Sequence, residues 1–206
     1  MQGNTELVNY LVQKGVLQNP NLIESFKKID RADFVLPQYY NIAYQDIPLP
    51  IGFGQTISQP TTVAFMLELL NPKKGEKVLD VGSGSGYTTA LLSKTVEPLG
   101  KVYGVELIPS LVDFGNKNIQ KYNLKNAKII QANRHIVGLP KKAPFDKILV
   151  SASATRLPQE LINQLKKGGI IVIPIQNSIY KIQKNHKGSI NKEEFYGFTF
   201  VPLIKE

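Results

Sequence analysis

Val78-Leu-Asp-Val-Gly-Ser-Gly-Ser-Gly-Tyr87 is the stretch on which the fold turns. Val78 to Val81 is a short apolar run, interrupted only by Asp80, and reads as a buried strand. Glycines at 82, 84 and 86 follow it, and Tyr87 to Thr95 then reads as a helix. Glycine lets the backbone turn tightly and lets a ligand approach the main chain. The helix N-terminus beyond the turn favours a negative ligand group. In a parallel sheet, ligands bind at the carboxyl ends of the strands, where this turn would sit.

Outward from the turn, strands and helices alternate at short spacing. Lys101 to Glu106, Ala127 to Ile130, Lys147 to Val150 and Ile170 to Ile175 read as further strands. Pro109 to Tyr122 and Pro158 to Leu165 read as the helices between them. The alternation predicts an α/β fold, a Rossmann-like, doubly wound and mostly parallel sheet. After Ile175 an antiparallel pair is expected, Tyr180 to Lys184 turning through His186–Ser189 and returning over Phe195 to Leu203. Upstream, residues 1–45 read as helical, from the spacing of Leu7, Tyr10, Leu11 and Leu17 and then of Leu22, Ile23, Phe26 and Ile29. Asn21, with Glu24 three residues on, is the expected cap of the second helix. Pro50 to Pro60, with two glycines between flanking prolines, reads as a loop. Thr61 to Leu70 is an amphipathic helix stopped by Asn71-Pro72.

Composition narrows the function classes. A chain of 206 residues with 42 % hydrophobic residues suits one α/β domain with a modest addition. There is no cysteine, which excludes disulfides, thiolate nucleophiles and sulfur-ligated metal sites. No metal site is expected. The N-terminus lacks a signal-like pattern and the apolar runs are too short to span a bilayer, so a cytoplasmic protein without membrane contact is expected. The net charge of +9 comes from scattered lysines, and arginine occurs only at 31, 134 and 156. Base-reading proteins lean on arginine, so nucleic acid is not the expected partner. The charge still suits an acidic substrate.

A dinucleotide fingerprint needs G-x-G-x-x-G, but position 87 is tyrosine. The spacing G-x-G-x-G with Asp80 two residues before it is the methyltransferase form. The Asp80 carboxylate suits a cationic ligand, whose amino and sulfonium groups it would stabilise. Glu106, closing the next strand, is placed to accept hydrogen bonds from both ribose hydroxyls.

Ile51-Gly-Phe-Gly-Gln-Thr-Ile-Ser-Gln-Pro60, together with Val78 to Tyr87, resembles the protein-L-isoaspartate O-methyltransferase family. Phe145-Asp-Lys-Ile-Leu-Val-Ser-Ala-Ser-Ala154, the stretch Pro158 to Pro174 and Phe200-Val-Pro-Leu203 extend the likeness over about Ile29 to Leu203. The resemblance implies a helical N-terminal extension, residues 1–50, packed on a class I methyltransferase domain, residues 51–206. It implies methyl transfer from S-adenosylmethionine, leaving S-adenosylhomocysteine, to the free α-carboxylate of isoaspartyl residues in damaged proteins and peptides. It casts Ser58 as the hydroxyl that holds one carboxylate oxygen. The implied cofactor residues are Gln55, Thr56, Ile57, Ser58, Thr61, Asp80, Gly82, Ser83, Gly84, Gly86, Glu106, Leu107 and Asn133. The carboxylate is already a nucleophile at neutral pH, so no strong base is required. His135 and His186 read as surface residues. A monomer is favoured.

Two positions depart from the family pattern. Thr61 stands where the best-known members carry histidine. Gln131-Ala-Asn-Arg-His135 replaces a Gly-Asp-Gly segment whose aspartate lies near the adenine amino group, so Asn133 can accept from that group but brings no charge. Two rival readings remain open here. One is a methyltransferase of the same fold acting on RNA or a small molecule. The other is a non-catalytic cofactor-binding relative.

Overall fold

The computed structural model describes residues 1–203. Its elements run α1 (Asn4–Gln13), α2 (Pro20–Lys28), β1 (Leu49–Gly52), β2 (Gln55–Ile57), α3 (Pro60–Leu70), β3 (Lys77–Val81), α4 (Tyr87–Val96), β4 (Lys101–Glu106), α5 (Pro109–Gln120), β5 (Ala127–Gln131), β6 (Phe145–Val150), α6 (Gln159–Gln164), β7 (Leu165–Ile175), β8 (Ser178–Lys184) and β9 (Ile190–Tyr196). Short 3-10 turns at Arg31–Phe34 and Pro37–Ile42 complete the N-terminal segment.

Seven strands form one sheet in the order β5-β4-β3-β6-β7-β8-β9. The pairs from β5 to β7 are parallel, and β8 and β9 join antiparallel. The chain builds β3, β4 and β5 outward in one direction, then returns to lay β6 on the other side of β3. That reversal opens a crevice at the carboxyl end of β3, where the glycine turn lies. Alternation along each strand divides the core. Val78, Val102, Ile129 and Val172 face the layer built from α1 to α5. Leu79, Val105, Ile148 and Ile171 face a thinner layer that includes α6.

Several local expectations are corrected. The Pro50–Pro60 segment is not a loop, because β1 and β2 pair antiparallel across Phe53 and Gly54. Asn19, not Asn21, caps α2: its side chain accepts from Asn21 N–H at 2.9 Å, and Pro20 fills the first turn. Proline suits the first helical position, where it has no N–H to satisfy, so the cap falls two residues upstream of the expected one. The last strand is Ile190–Tyr196, and Gly197 at φ +95° ends it. Its run of Lys192, Glu193 and Glu194 hides it from an apolar pattern because it is an exposed edge. Likewise β7 begins at Leu165, ahead of two lysines that lie on its exposed start.

Candidate active site

The glycine turn is held from behind by β4. The N–H groups of Gly82 and Ser83 both donate to the Val105 carbonyl, at 2.9 and 3.2 Å. Gly84 has φ +51°, and a Cβ on it would lie 3.0 Å from Ile51 Cδ1 of the β1–β2 hairpin. The turn is thus roofed closely enough that only a bare backbone fits without movement. Gly86 serves a different purpose from the one the sequence suggested. A Cβ there would meet the Gly115 carbonyl of α5 at 3.0 Å, so this glycine lets α4 pack on α5 and does not line the cleft. Gly115 has the reciprocal constraint, since a Cβ on it would lie 2.5 Å from Ile129 Cδ1 and 3.0 Å from the Gly84 carbonyl. Nothing in the spacing of Gly115 linked it to the turn.

Glu106 is buried and lines the cleft. Its Oε1 accepts from Leu107 and Ile108 N–H at 2.6 and 3.0 Å, and its Oε2 accepts from Gly84 N–H at 2.9 Å. A carboxylate offers about four lone-pair positions. With three used, Oε2 keeps one for a ligand, which is fewer than the two hydroxyl contacts expected. Asp80 departs further from expectation. It is fully buried and does not line the cleft. Its Oδ2 accepts from Thr88 and Thr89 hydroxyls at 2.7 and 2.6 Å and so braces the first turn of α4, while its buried Oδ1 has no partner among the described residues. Burial pushes its carboxyl up to about 6, against the two threonine hydrogen bonds and with some help from the Glu106 charge.

Ser58 is half-buried, follows β2 directly and lines the cleft together with Gln55, Thr56 and Ile57. Its hydroxyl makes no hydrogen bond among the described residues, and α3 has no side-chain cap at Gln59. The helix start is satisfied from elsewhere. Asp46 Oδ1 accepts from Thr61 N–H at 2.9 Å, and Asp46 Oδ2 accepts from the Thr61 hydroxyl and, at 3.2 Å, from Tyr10. Thr61 therefore points to Asp46 and is not part of the cleft wall, contrary to the expectation for it. Arg31, fully buried, steadies the same region by donating to the Ala43 and Ile47 carbonyls at 2.9 and 3.4 Å. Its burial lowers the guanidinium to about 10. Both Arg31 and Asp46 escaped sequence reading because each acts across the N-terminal segment on residues distant in sequence.

The far wall is formed after β4 and β5. Leu107, Ile108, Ala132 and Val137 bound an apolar slot beside Asn133. Asn133 is exposed, and its Oδ1 accepts from His135 N–H at 2.8 Å, which folds the segment into a turn. His135 and His186 are exposed. The remaining side is the end of β6, where Ser153 N–H donates to the Val201 carbonyl and Leu203 N–H to the Ser153 carbonyl, both at 2.8 Å. Val201 to Leu203 thereby become cleft lining. The cleft holds about 1070 Å³, counting its open mouth. Its parts suit an adenosyl sulfonium: a side-chain-free turn, an acidic acceptor with one open lone pair, and an apolar slot for a flat ring.

The family model for protein-L-isoaspartate(D-aspartate) O-methyltransferase matches residues 1–206. A protein-L-isoaspartate O-methyltransferase of Aeropyrum pernix is 40 % identical over 100 % of this chain and 80 % of its own length. One of Methanopyrus kandleri is 41 % identical over 97 % of this chain and 90 % of its own. A Plasmodium falciparum structure of that description, in complex with S-adenosyl-L-homocysteine, superposes with a TM-score of 0.88 at 30 % identity, covering 100 % of both chains. The chain belongs to the protein-L-isoaspartate(D-aspartate) O-methyltransferase family.

Proposed function

We propose that the protein transfers a methyl group from S-adenosylmethionine to the α-carboxylate of isoaspartyl residues, as a repair enzyme for damaged proteins. The observation that carries this reading is Ser58, a hydroxyl with no partner among the described residues that lines the same cleft as the side-chain-free turn at Gly84. An idle hydroxyl in a cleft is a donor awaiting an acceptor. The family membership and the S-adenosylhomocysteine-bound relative support the choice of donor.

In this reading Gly82, Ser83 and Gly84 present the turn to the donor's amino-acid end, and the open lone pair of Glu106 Oε2 takes a ribose hydroxyl. Leu107 and Asn133 flank the adenine. Gln55, Thr56 and Ile57 close the roof above them. Asp80, Thr61 and Gly86 act indirectly, by holding α4, α3 and α5 in register with the turn. When bound, the donor supplies an electrophilic methyl on a sulfonium. Ser58 donates to one carboxylate oxygen of the substrate and leaves the other free to attack. The new bond is carboxylate oxygen to methyl carbon; the bond broken is methyl carbon to sulfur, and the electron pair leaves on sulfur as the neutral thioether. A neutral donor orients the carboxylate without taking its charge, and the roof excludes water that would otherwise solvate it. Residues 1–50 act as a positioning extension of one unit with residues 51–206, because Arg31 and Asp46 set where α3 and the hairpin begin. The cysteine-free composition suits the cytoplasm.

Calorimetric titration with S-adenosylmethionine, followed by methyl transfer to an isoaspartyl peptide beside the matching aspartyl peptide, tests the reading. Binding with transfer to the isoaspartyl peptide alone is expected. Equal transfer to both peptides, or binding without transfer, overturns it.

A further inference from the structure

The β1–β2 hairpin ends in a two-residue turn, Phe53-Gly54, flanked by the paired residues Gly52 and Gln55. Both turn residues have positive φ, 56° at Phe53 and 71° at Gly54. This is the pattern of a type I′ turn, whose first central position takes asparagine, aspartate or glycine without strain. A phenylalanine there is strained in its backbone. It is also 62 % exposed, so it gains little from burial in return. Folding alone supplies no reason for this residue at this place, and a broken local rule points to a functional demand.

The surroundings say what the demand is. Ile51, two residues before the tip, packs against the glycine turn, and β2, on the other side, leads to Ser58. The Phe53 carbonyl accepts from Gln55 Nε2 at 3.4 Å, and Gln55 itself lines the cleft. Ile136, another exposed apolar side chain, lines the cleft itself. Phe53 lies outside the cleft, at the end of its roof. Four residues, Gly54 in the turn and then β2, separate Phe53 from Ser58, so the two lie at most ~16 Å apart. A methyl-accepting peptide continues on both sides of its isoaspartyl residue and must leave the cleft past its rim. An extended peptide covers the same span in about five residues.

We propose that Phe53 is a specificity-determining contact for the peptide substrate: it docks an apolar side chain lying within about five residues of the isoaspartyl residue. This rests on the isoaspartyl reading above. Phe53 then governs KM and sequence preference, while the chemical step is left to the groups inside the cleft.

The test compares the wild type with Phe53→Asn on two isoaspartyl peptides of equal length. In one the flanking positions are phenylalanine and leucine; in the other they are glycine. Partial burial of a phenyl ring predicts a KM roughly tenfold lower for the apolar peptide in the wild type. Phe53→Asn is expected to erase that preference, with kcat and S-adenosylmethionine affinity kept. Its melting temperature should be equal or higher, because asparagine relaxes the turn. An unchanged preference in Phe53→Asn, or no preference in the wild type, overturns the proposal while leaving the isoaspartyl reading intact. No transfer by the wild type to either peptide overturns both. A kcat loss at unchanged KM would show Phe53 acting on the roof alone and also overturns the docking role.

Discussion

Removing the Ser58 hydroxyl is the sharpest perturbation, because the structure separates its two conceivable roles. A serine just before a helix commonly caps it, and losing such a cap costs about 1 kcal/mol of stability. Here the cap position is Gln59, and the Thr61 N–H in the first turn is already taken by Asp46 at 2.9 Å. Ser58→Ala should therefore alter stability by no more than about 0.5 kcal/mol, the range of a substitution that breaks no specific feature. Among the described residues its hydroxyl has no partner, so in the proposed reaction what it loses is a hydrogen bond to the substrate carboxylate. Such a bond to a charged group is worth about 1.5–3 kcal/mol, which corresponds to a rate loss of roughly ten- to a hundred-and-fifty-fold. Melting temperature and single-turnover methylation of an isoaspartyl peptide, measured on one preparation, read the two effects independently. The expected result is an unchanged melting curve, nearly unchanged S-adenosylmethionine affinity and slowed transfer. Ser58→Thr should be milder, limited by its extra methyl group. A lowered melting temperature with an intact single-turnover rate would refute the reasoning.

Gly84→Val should abolish S-adenosylmethionine binding in calorimetry, since a branched side chain at φ +51° would press on Ile51 Cδ1; retained affinity places the site elsewhere. Asn133→Asp should keep cofactor affinity and the turn bond to His135, whereas Asn133→Leu loses both acceptors and should weaken binding by about 1–3 kcal/mol. Equal affinity in the two variants would remove Asn133 from the adenine wall. Asp46→Ala strips the acceptor from Thr61 and Tyr10 and should lower stability by about 1–3 kcal/mol while slowing transfer through a displaced Ser58; a shift in stability with full single-turnover rate argues against that coupling. For Asp80, the folded carboxyl at about 6 lies above its ordinary 3.8, so the native state binds the extra proton between those values and stability falls as pH rises through that window. At about 1.36 kcal/mol per unit, the charged form costs at most about 3 kcal/mol above pH 6. Asp80→Asn should thus raise the melting temperature relative to wild type at pH 7.5 more than at pH 4.5, and a difference independent of pH would contradict the assigned burial effect.

Much of the fold and part of the site are local properties of the chain. The strand, glycine turn and helix at Val78–Val96 are readable because each element declares itself within ten residues: an apolar run, positive-φ glycines, then helical spacing. The alternation that follows is enough to imply a parallel sheet, and the Gly-Gln-Thr-Ile-Ser segment is specific enough to point to the family. The tertiary structure decided which side of each residue mattered. Asp80 and Thr61 carry the right chemistry at the right spacing, yet one faces the α4 threonines and the other faces Asp46, because orientation depends on what packs behind the turn. Glu106 spends three of its lone pairs on backbone N–H groups from its own turn and the glycine loop, a count visible only in three dimensions. Arg31, Asp46, Gly115 and Val201–Leu203 come from separate parts of the chain, and no single window along it brings them together. Nor does any window reveal that Phe53 holds a left-handed conformation in the open, since that follows from the pairing of β1 with β2. Spacing encodes which elements form; the meeting of distant elements sets which atoms of those elements are left for a ligand.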